Sequence, residues 1–92
     1  MTNEIRGSGR TTAQMRNAPR NAIYVWCNEK LHYPAKLLGE VDRTDITVVS
    51  PEMVAKTMID TRRPIVVDHY AYLSSETLKR IQIHNQIVEV LS

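Results

Sequence analysis

The chain has 92 residues, which limits it to one domain, and its 42% hydrophobic and 24% charged residues are typical of a globular protein rather than a disordered or fibrous one. The net charge is +2, and no apolar run approaches the roughly 20 residues needed to span a bilayer. The first ten residues are polar, unlike a signal peptide, and the lone Cys27 fits a reducing compartment. We therefore expect a cytoplasmic protein.

Positive charge is concentrated in the first twenty residues. That segment contains four arginines against Glu4, a charge of +3, whereas residues 21–92 have eight basic and nine acidic side chains, a charge of −1. The four are Arg6, Arg10, Arg16 and Arg20. Such an end can be a solvated surface or a site for a polyanion, meaning a nucleotide, nucleic acid or an acidic protein surface. A charge of this size is too small for strong non-specific DNA binding.

Three short apolar runs predict strands. They lie at about residues 22–26, 46–49 and 64–68, and each is rich in β-branched side chains. In the third run the apolar residues are consecutive rather than alternating, which is typical of a strand covered on both faces. Deep burial is predicted for the following side chains: Ile23, Val25, Leu37, Val48 and Val66.

The segments around these strands favour helices. Residues 13–18 form a short helix-like run, and Pro34 with Gly39 marks the start and end of a second helix. The run Ser50-Pro51-Glu52 supplies an N-cap, a first-turn proline and a first-turn acid for a third.

The last segment opens with Ser74-Ser75-Glu76 and favours a C-terminal helix. Its apolar stripe would contain Leu78, Ile81, Val88 and Leu91. The alternative is a fourth strand over residues 87–91, after a break near His84 and Asn85.

Helix–strand alternation predicts a single small α/β domain. We expect a three-stranded, mostly parallel sheet flanked by short helices and a C-terminal helix. Residues 1–20 would form an arginine-rich loop and a short helix, and residues 21–92 the sheet with its covering helices. A sheet this small leaves two open edges, which makes a homodimer or a docked partner plausible.

A glycine-containing run precedes the first helix-like segment. It reads Gly7-Ser8-Gly9-Arg10-Thr11-Thr12 and resembles the second half of the Walker A loop of P-loop NTPases. The resemblance implies that all six residues bind phosphate through backbone N–H groups. It also implies that Arg10 contacts the outer phosphates and that the Thr11 hydroxyl holds magnesium.

The third predicted strand supplies the other half of this resemblance. Ile65-Val66-Val67-Asp68 resembles a Walker B strand, which implies that Asp68 holds the magnesium shell. His69 stands where the water-orienting glutamate of the family is common, and beside Asp68 it is a candidate general base. The sequence departs from the family at Glu4, which occupies the position of the first glycine, and in having no buried strand before the loop.

The remaining candidates are contact residues. Arg62 and Arg63 form a second basic pair, and Tyr70 and Tyr72 follow Asp68 in a position suited to a contact surface. Trp26 ends a buried-type strand and is predicted to be core. Cys27 and the three histidines lack the spacing of a metal site.

Two functions remain open. The first is a small non-catalytic binding protein of P-loop-like ancestry that needs no cofactor and grips a polyanion or a nucleic-acid-handling protein complex. Such a chain is similar in size and style to accessory proteins of phages and mobile elements, and an anti-defence role in the host cytoplasm is compatible with it. The alternative is a minimal nucleotide-binding or NTP-hydrolysing domain that uses magnesium with ATP or GTP. Glu4 and the missing first strand favour the first.

Overall fold

A computed structural model of the protein describes residues 9–91. Across these residues the elements are α1 (Arg10–Asn17), β1 (Ile23–Val25), α2 (His32–Glu40), β2 (Thr47–Val49), a 3₁₀ turn (Pro51–Met53), α3 (Val54–Asp60), β3 (Ile65–Val67) and α4 (Ser75–Leu91). The strands form one parallel sheet in the order β2-β1-β3. The predicted fold class, a small parallel α/β sheet with a C-terminal helix, is confirmed.

The sheet is the middle of three layers. On one face Tyr24 packs with residues of α1 and α2, including Met15 and Leu37. On the other face Ile23 and Val25 pack with residues of α3 and α4. Every residue of β1 is buried because this strand has a neighbour on each side and helices above and below.

The strands are shorter than predicted, and two core predictions are wrong. Val48 and Val66 are half-buried, whereas Ile23, Val25 and Leu37 are buried as expected. Both exceptions pair with Tyr24 from the outer strands, where the sheet ends and solvent begins.

The first helix begins earlier than predicted. Arg10, Thr11 and Thr12 lie in the first turn of α1 rather than in a loop, and α1 ends at Asn17, before Pro19. Gly7 and Ser8 lie outside the described residues.

The C-terminal segment is helical to Leu91, so a fourth strand over residues 87–91 is excluded. Ser74 caps this helix, accepting a hydrogen bond from the backbone N–H of Thr77 at 3.1 Å. The predicted apolar stripe is partly wrong: Ile81 is buried and Val88 half-buried, but Leu78 and Leu91 are exposed. No helix within residues 9–91 combines the length and the apolar character that a membrane span requires.

Candidate functional site

The carboxyl edge of the sheet is where this topology places a ligand site. The crossover from β1 to β2 runs through α2 on one face, and the crossover from β2 to β3 runs through α3 on the other. The connections therefore diverge between the ends of β1 and β3, which is the usual binding crevice of open parallel sheets. Asp68 and His69 follow β3 at this point.

The Asp68 carboxylate is turned inward. Asp68 is 1% exposed. Its Oδ1 accepts a hydrogen bond from the Tyr24 hydroxyl at 2.5 Å, and its Oδ2 accepts one from the backbone N–H of Tyr70 at 2.9 Å. Burial, and then the hydrogen bond to Asp68, raise the pKa of the Tyr24 hydroxyl far above its usual value, so Tyr24 remains a donor. Both carboxylate oxygens thus have donors inside the protein.

Gln14 of α1 joins this group to the end of β3. Its Nε2 donates to the carbonyl oxygen of Val67 at 2.7 Å, and its Oε1 accepts from the backbone N–H of His69 at 3.1 Å. The same Oε1 lies 3.3 Å from the Tyr24 hydroxyl. We call Gln14, Tyr24, Asp68 and His69 the carboxyl-edge network.

His69 forms the outer boundary of this network. Its Nδ1 lies 3.2 Å from Gln14 Oε1 and 3.8 Å from Asp68 Oδ1, and because both oxygens are acceptors, Nδ1 carries the proton in this arrangement. The imidazole ring packs on Tyr70 with ring centroids 4.1 Å apart. Tyr70 is 42% exposed, so this aromatic pair is presented to solvent.

The direction of α1 follows from its contacts. Gln14 reaches the carboxyl end of β3. The carbonyls of Met15 and Arg16 accept hydrogen bonds from Arg43, which precedes β2 at the opposite edge of the sheet. The N-terminus of α1 therefore points toward the carboxyl edge.

That N-terminus offers donors. Gly9 adopts φ 87°, a left-handed conformation that favours glycine, and no side chain caps the helix. Thr12 Oγ1 donates back to the Gly9 carbonyl at 3.1 Å. The first backbone N–H groups of a helix have no partner within it and carry its partial positive charge. Arg10 is exposed and one turn from Gln14, so both lie on one side of α1.

Magnesium-binding roles were predicted for Thr11 and Asp68. Asp68 is enclosed with both oxygens bonded. Thr11 is half-buried in the first turn of α1. Across residues 9–91, no cluster of three or more His, Cys, Asp or Glu side chains is suited to a metal ion. The magnesium roles predicted for Thr11 and Asp68 gain no support from this geometry.

The predicted contact arginines divide into two groups. Arg10, Arg16, Arg20 and Arg62 are exposed and have no ion pair within residues 9–91. Arg10 and Arg16 point to different sides of α1, because six residues turn a helix by about 600°, which leaves the two side chains about 120° apart. Arg6 lies outside the described residues. Tyr72, at 94% exposure, is free to contact a partner.

Arg63 belongs to the fold. Its guanidinium donates to the carbonyls of Asn21 at 2.7 Å and Asp45 at 3.0 Å and to Thr47 Oγ1 at 3.1 Å, all at the amino edge of the sheet. With its fork directed at these protein oxygens, Arg63 is held against the sheet, in contrast to its exposed neighbour Arg62.

Sequence reasoning missed the second arginine at this edge. Arg43 forms a bidentate pair with Asp45, with both N–O distances 3.0 Å. This hydrogen bonding, with a further bond from the backbone N–H of Asn21, holds the pKa of Asp45 well below its usual value, and the same pair raises the pKa of Arg43. Nothing in the local sequence distinguishes Arg43 from a solvated arginine.

No protein-family model, no curated protein and no solved structure matches this chain at a significant level.

Proposed function

We propose that this protein is a non-catalytic binding protein that grips a phosphate-bearing polyanion, most simply single-stranded nucleic acid, at the carboxyl edge of its sheet. The observation that carries this proposal is the inward position of Asp68. With that carboxylate enclosed, the groups presented around it are donors and an aromatic pair.

The argument against hydrolysis rests on the same residue. A magnesium-dependent NTPase needs an acid that faces the metal shell. Asp68 instead accepts hydrogen bonds from Tyr24 and from the backbone of Tyr70. Exposing it would leave the buried Tyr24 hydroxyl without its short hydrogen bond, a change that opposes metal binding.

The argument for a phosphate ligand rests on the groups that lie at the same edge of the sheet as Asp68. Arg10 supplies a planar fork suited to two phosphate oxygens, and the first turn of α1 adds backbone N–H groups beside it. The packed His69–Tyr70 pair supplies an aromatic platform of the kind on which unpaired bases stack. Hydrogen-bond donors for phosphate, combined with a surface on which bases stack, fit single-stranded nucleic acid better than an isolated anion.

The test is fluorescence anisotropy with a labelled single-stranded oligonucleotide at low salt. Arg10→Ala is expected to weaken binding about tenfold, since a charge-assisted contact contributes about 1.5 kcal/mol or more, and wild-type affinity should fall as salt rises. The control is Arg80→Ala, because Arg80 is also exposed but lies on α4, on the opposite face of the sheet, where it pairs with the exposed Glu76. Equal losses in the two variants, or no binding by the wild type, would contradict the proposal.

The alternative, a minimal nucleotide-binding domain, draws on one observation: the left-handed Gly9 and Asp68 lie at the same edge of the sheet. If it holds, magnesium with ATP or GTP raises the melting temperature, and the stabilisation is about 2.7 kcal/mol at a nucleotide concentration 100 times Kd. We expect no shift at millimolar nucleotide.

The second candidate ligand of the carboxyl edge is a protein complex that handles nucleic acid. We propose that, in this case, the chain acts as a small accessory protein of a phage or mobile element. Interference with a host defence complex is one role that such a protein could have. A pull-down from host lysate with and without nuclease separates the two forms. Capture that survives nuclease indicates a protein contact, and capture that is lost indicates the nucleic acid itself.

A further inference from the structure

The two outer edges of the sheet differ in whether side chains bond their outward backbone groups. On β3 the side-chain amide of Asn85 bonds both backbone groups of Ile65, with distances of 2.8 Å from Ile65 N to Oδ1 and 2.8 Å from Nδ2 to Ile65 O. The next outward carbonyl, that of Val67, is taken by Gln14. Side chains thus occupy the positions that another strand would use.

The outer edge of β2 has no such cover. Thr47 N donates to the carbonyl of Ala22, and Trp26 N donates to the carbonyl of Val49, so residues 47 and 49 face β1. Strand alternation then turns the N–H and C=O of Val48 outward. Within residues 9–91 neither group has a hydrogen-bond partner outside β2.

An open cleft lies on each side of this edge. The cleft beneath α2 has a volume of about 460 Å³, and the cleft beneath α3 about 410 Å³. Thr47 lines both, so the strand edge stands between them. The helices therefore leave room for another strand to approach.

The cleft under α3 is charged in a self-complementary way. Lys56 and Asp60 both line it, one turn apart, and neither has an ion pair within the described part of the chain. Because α3 connects the carboxyl end of β2 to the amino end of β3, it runs opposite to the strands, with Lys56 nearer the carboxyl edge. A second copy related by a two-fold axis would reverse this order.

We propose that the outer edge of β2 pairs with β2 of a second copy of this chain, forming a symmetric dimer with one continuous six-stranded sheet. The two Val48 residues face each other across the axis and exchange both N–H···O=C bonds, as opposed residues of an antiparallel pair do. The same axis brings Lys56 of each copy toward Asp60 of the other.

Two of the residues that line the cleft under α2 are small, which leaves room for the second copy. Ala35 and Gly39, one turn apart on α2, line it. A Cβ placed on Gly39 meets no atom within 4 Å, so a side chain at this position would project into the cleft without disturbing the single copy.

The experiment is sedimentation equilibrium of the full chain from about 1 μM to about 1 mM, with charge-reversal variants. Lys56→Asp and Asp60→Lys are each expected to raise the dimer Kd at least about tenfold, because each places like charges together twice across the axis. The double variant restores the opposite charges and is expected to recover most of the affinity. Gly39→Lys is expected to weaken the dimer while preserving the fold.

The control is Ile87→Lys, at an exposed apolar position of α4 away from this edge. It should leave the Kd unchanged. Hydrogen exchange provides a second readout: protection of the Val48 amide should rise with protein concentration in step with dimerisation. A chain that stays monomeric at 1 mM overturns the proposal. The proposal is also overturned if the charge-reversal variants leave the dimer Kd unchanged, or if Ile87→Lys dissociates the dimer. An unprotected Val48 amide in the dimer overturns it as well.

Discussion

A few polar side chains hold segments together that are distant in the sequence. Gln14 joins α1 to the end of β3, and Asn85 joins α4 to the same strand. Arg43 and Arg63 join the loops at the amino edge. In each case a fork or an amide satisfies backbone groups that would otherwise lose their hydrogen bonds on leaving water.

Removing the Asp68 carboxylate tests whether it serves the fold. Asp68→Ala removes the short hydrogen bond of the buried Tyr24 hydroxyl, which keeps only its longer contact with Gln14 Oε1, and it removes the side-chain acceptor of the Tyr70 N–H. We expect a loss of about 3 kcal/mol in the free energy of unfolding. Urea denaturation measures it. Adding Tyr24→Phe should cost little more, since the two share one hydrogen bond; additive losses would mean that the pair is not coupled.

Acid stability should depend on the Arg43–Asp45 pair. The pKa of Asp45 is lowered in the folded protein, so its contribution is present above its usual pKa of roughly 4 and is lost as pH falls. We expect the melting temperature of Asp45→Asn to be lower at pH 7 and to fall less steeply below about pH 5. Arg43→Gln should flatten the profile in the same way, and an unchanged slope in both would refute the assignment.

At the level of elements, the sequence predicted which segments become strands but not how deeply each is buried. Runs of β-branched residues marked all three strands, and Ser74 marked the start of α4. Two predicted helix starts are wrong: α2 begins at His32, two residues before Pro34, and Pro51 begins the 3₁₀ turn that precedes α3. The burial of Val48 and Val66 depends on strand order, because the same apolar run is enclosed in the centre and half-open at an edge. Strand order comes from long-range pairing, which a local pattern does not contain.

Two neighbours on β3 should therefore differ in stability. Ile65 is buried against the α3–α4 face, and Ile65→Ala is expected to cost about 3 kcal/mol. Val66 is half-buried, and Val66→Ala should cost about 1 kcal/mol. Denaturant titrations compare them directly, and a larger loss at Val66 would contradict the strand order.

The hydrogen bonds by which Asn85 covers the outer edge of β3 can be tested by mutation in the same way. Asn85→Ala removes both bonds to Ile65, and we expect a loss of about 1–2 kcal/mol together with faster exchange of the Ile65 amide. Gln86→Ala, at the exposed neighbouring position, should change stability by less than about 0.5 kcal/mol. Equal effects would show that the amide adds nothing at this edge.

At the scale of the whole molecule, the sequence predicted that Asp68 ends a strand of a parallel sheet, but not that its carboxylate is enclosed by the protein. Helix–strand alternation correctly predicted a parallel sheet, and Asp68 lies at its carboxyl edge, directly after β3. The orientation of the Asp68 side chain could not be predicted from the sequence, because it depends on the Tyr24 hydroxyl of the neighbouring strand and on Gln14 of α1. Nothing in the local sequence marks Tyr24 or Gln14 as a partner of Asp68.

The central position of β1 has a consequence for how the chain is made. Among the strands within residues 9–91, the one that is synthesised first pairs with both of the others. Gln14 likewise bonds the carbonyl of Val67, which lies 53 residues further along the chain. A nascent chain that has reached only β2 lacks one neighbour of its most buried strand, and it lacks α3 and α4, which cover one face of that strand. Such non-local pairing slows folding and exposes apolar surface meanwhile. We therefore expect the sheet to assemble in one late step, after β3 leaves the ribosome, and the growing chain to depend on chaperones until then.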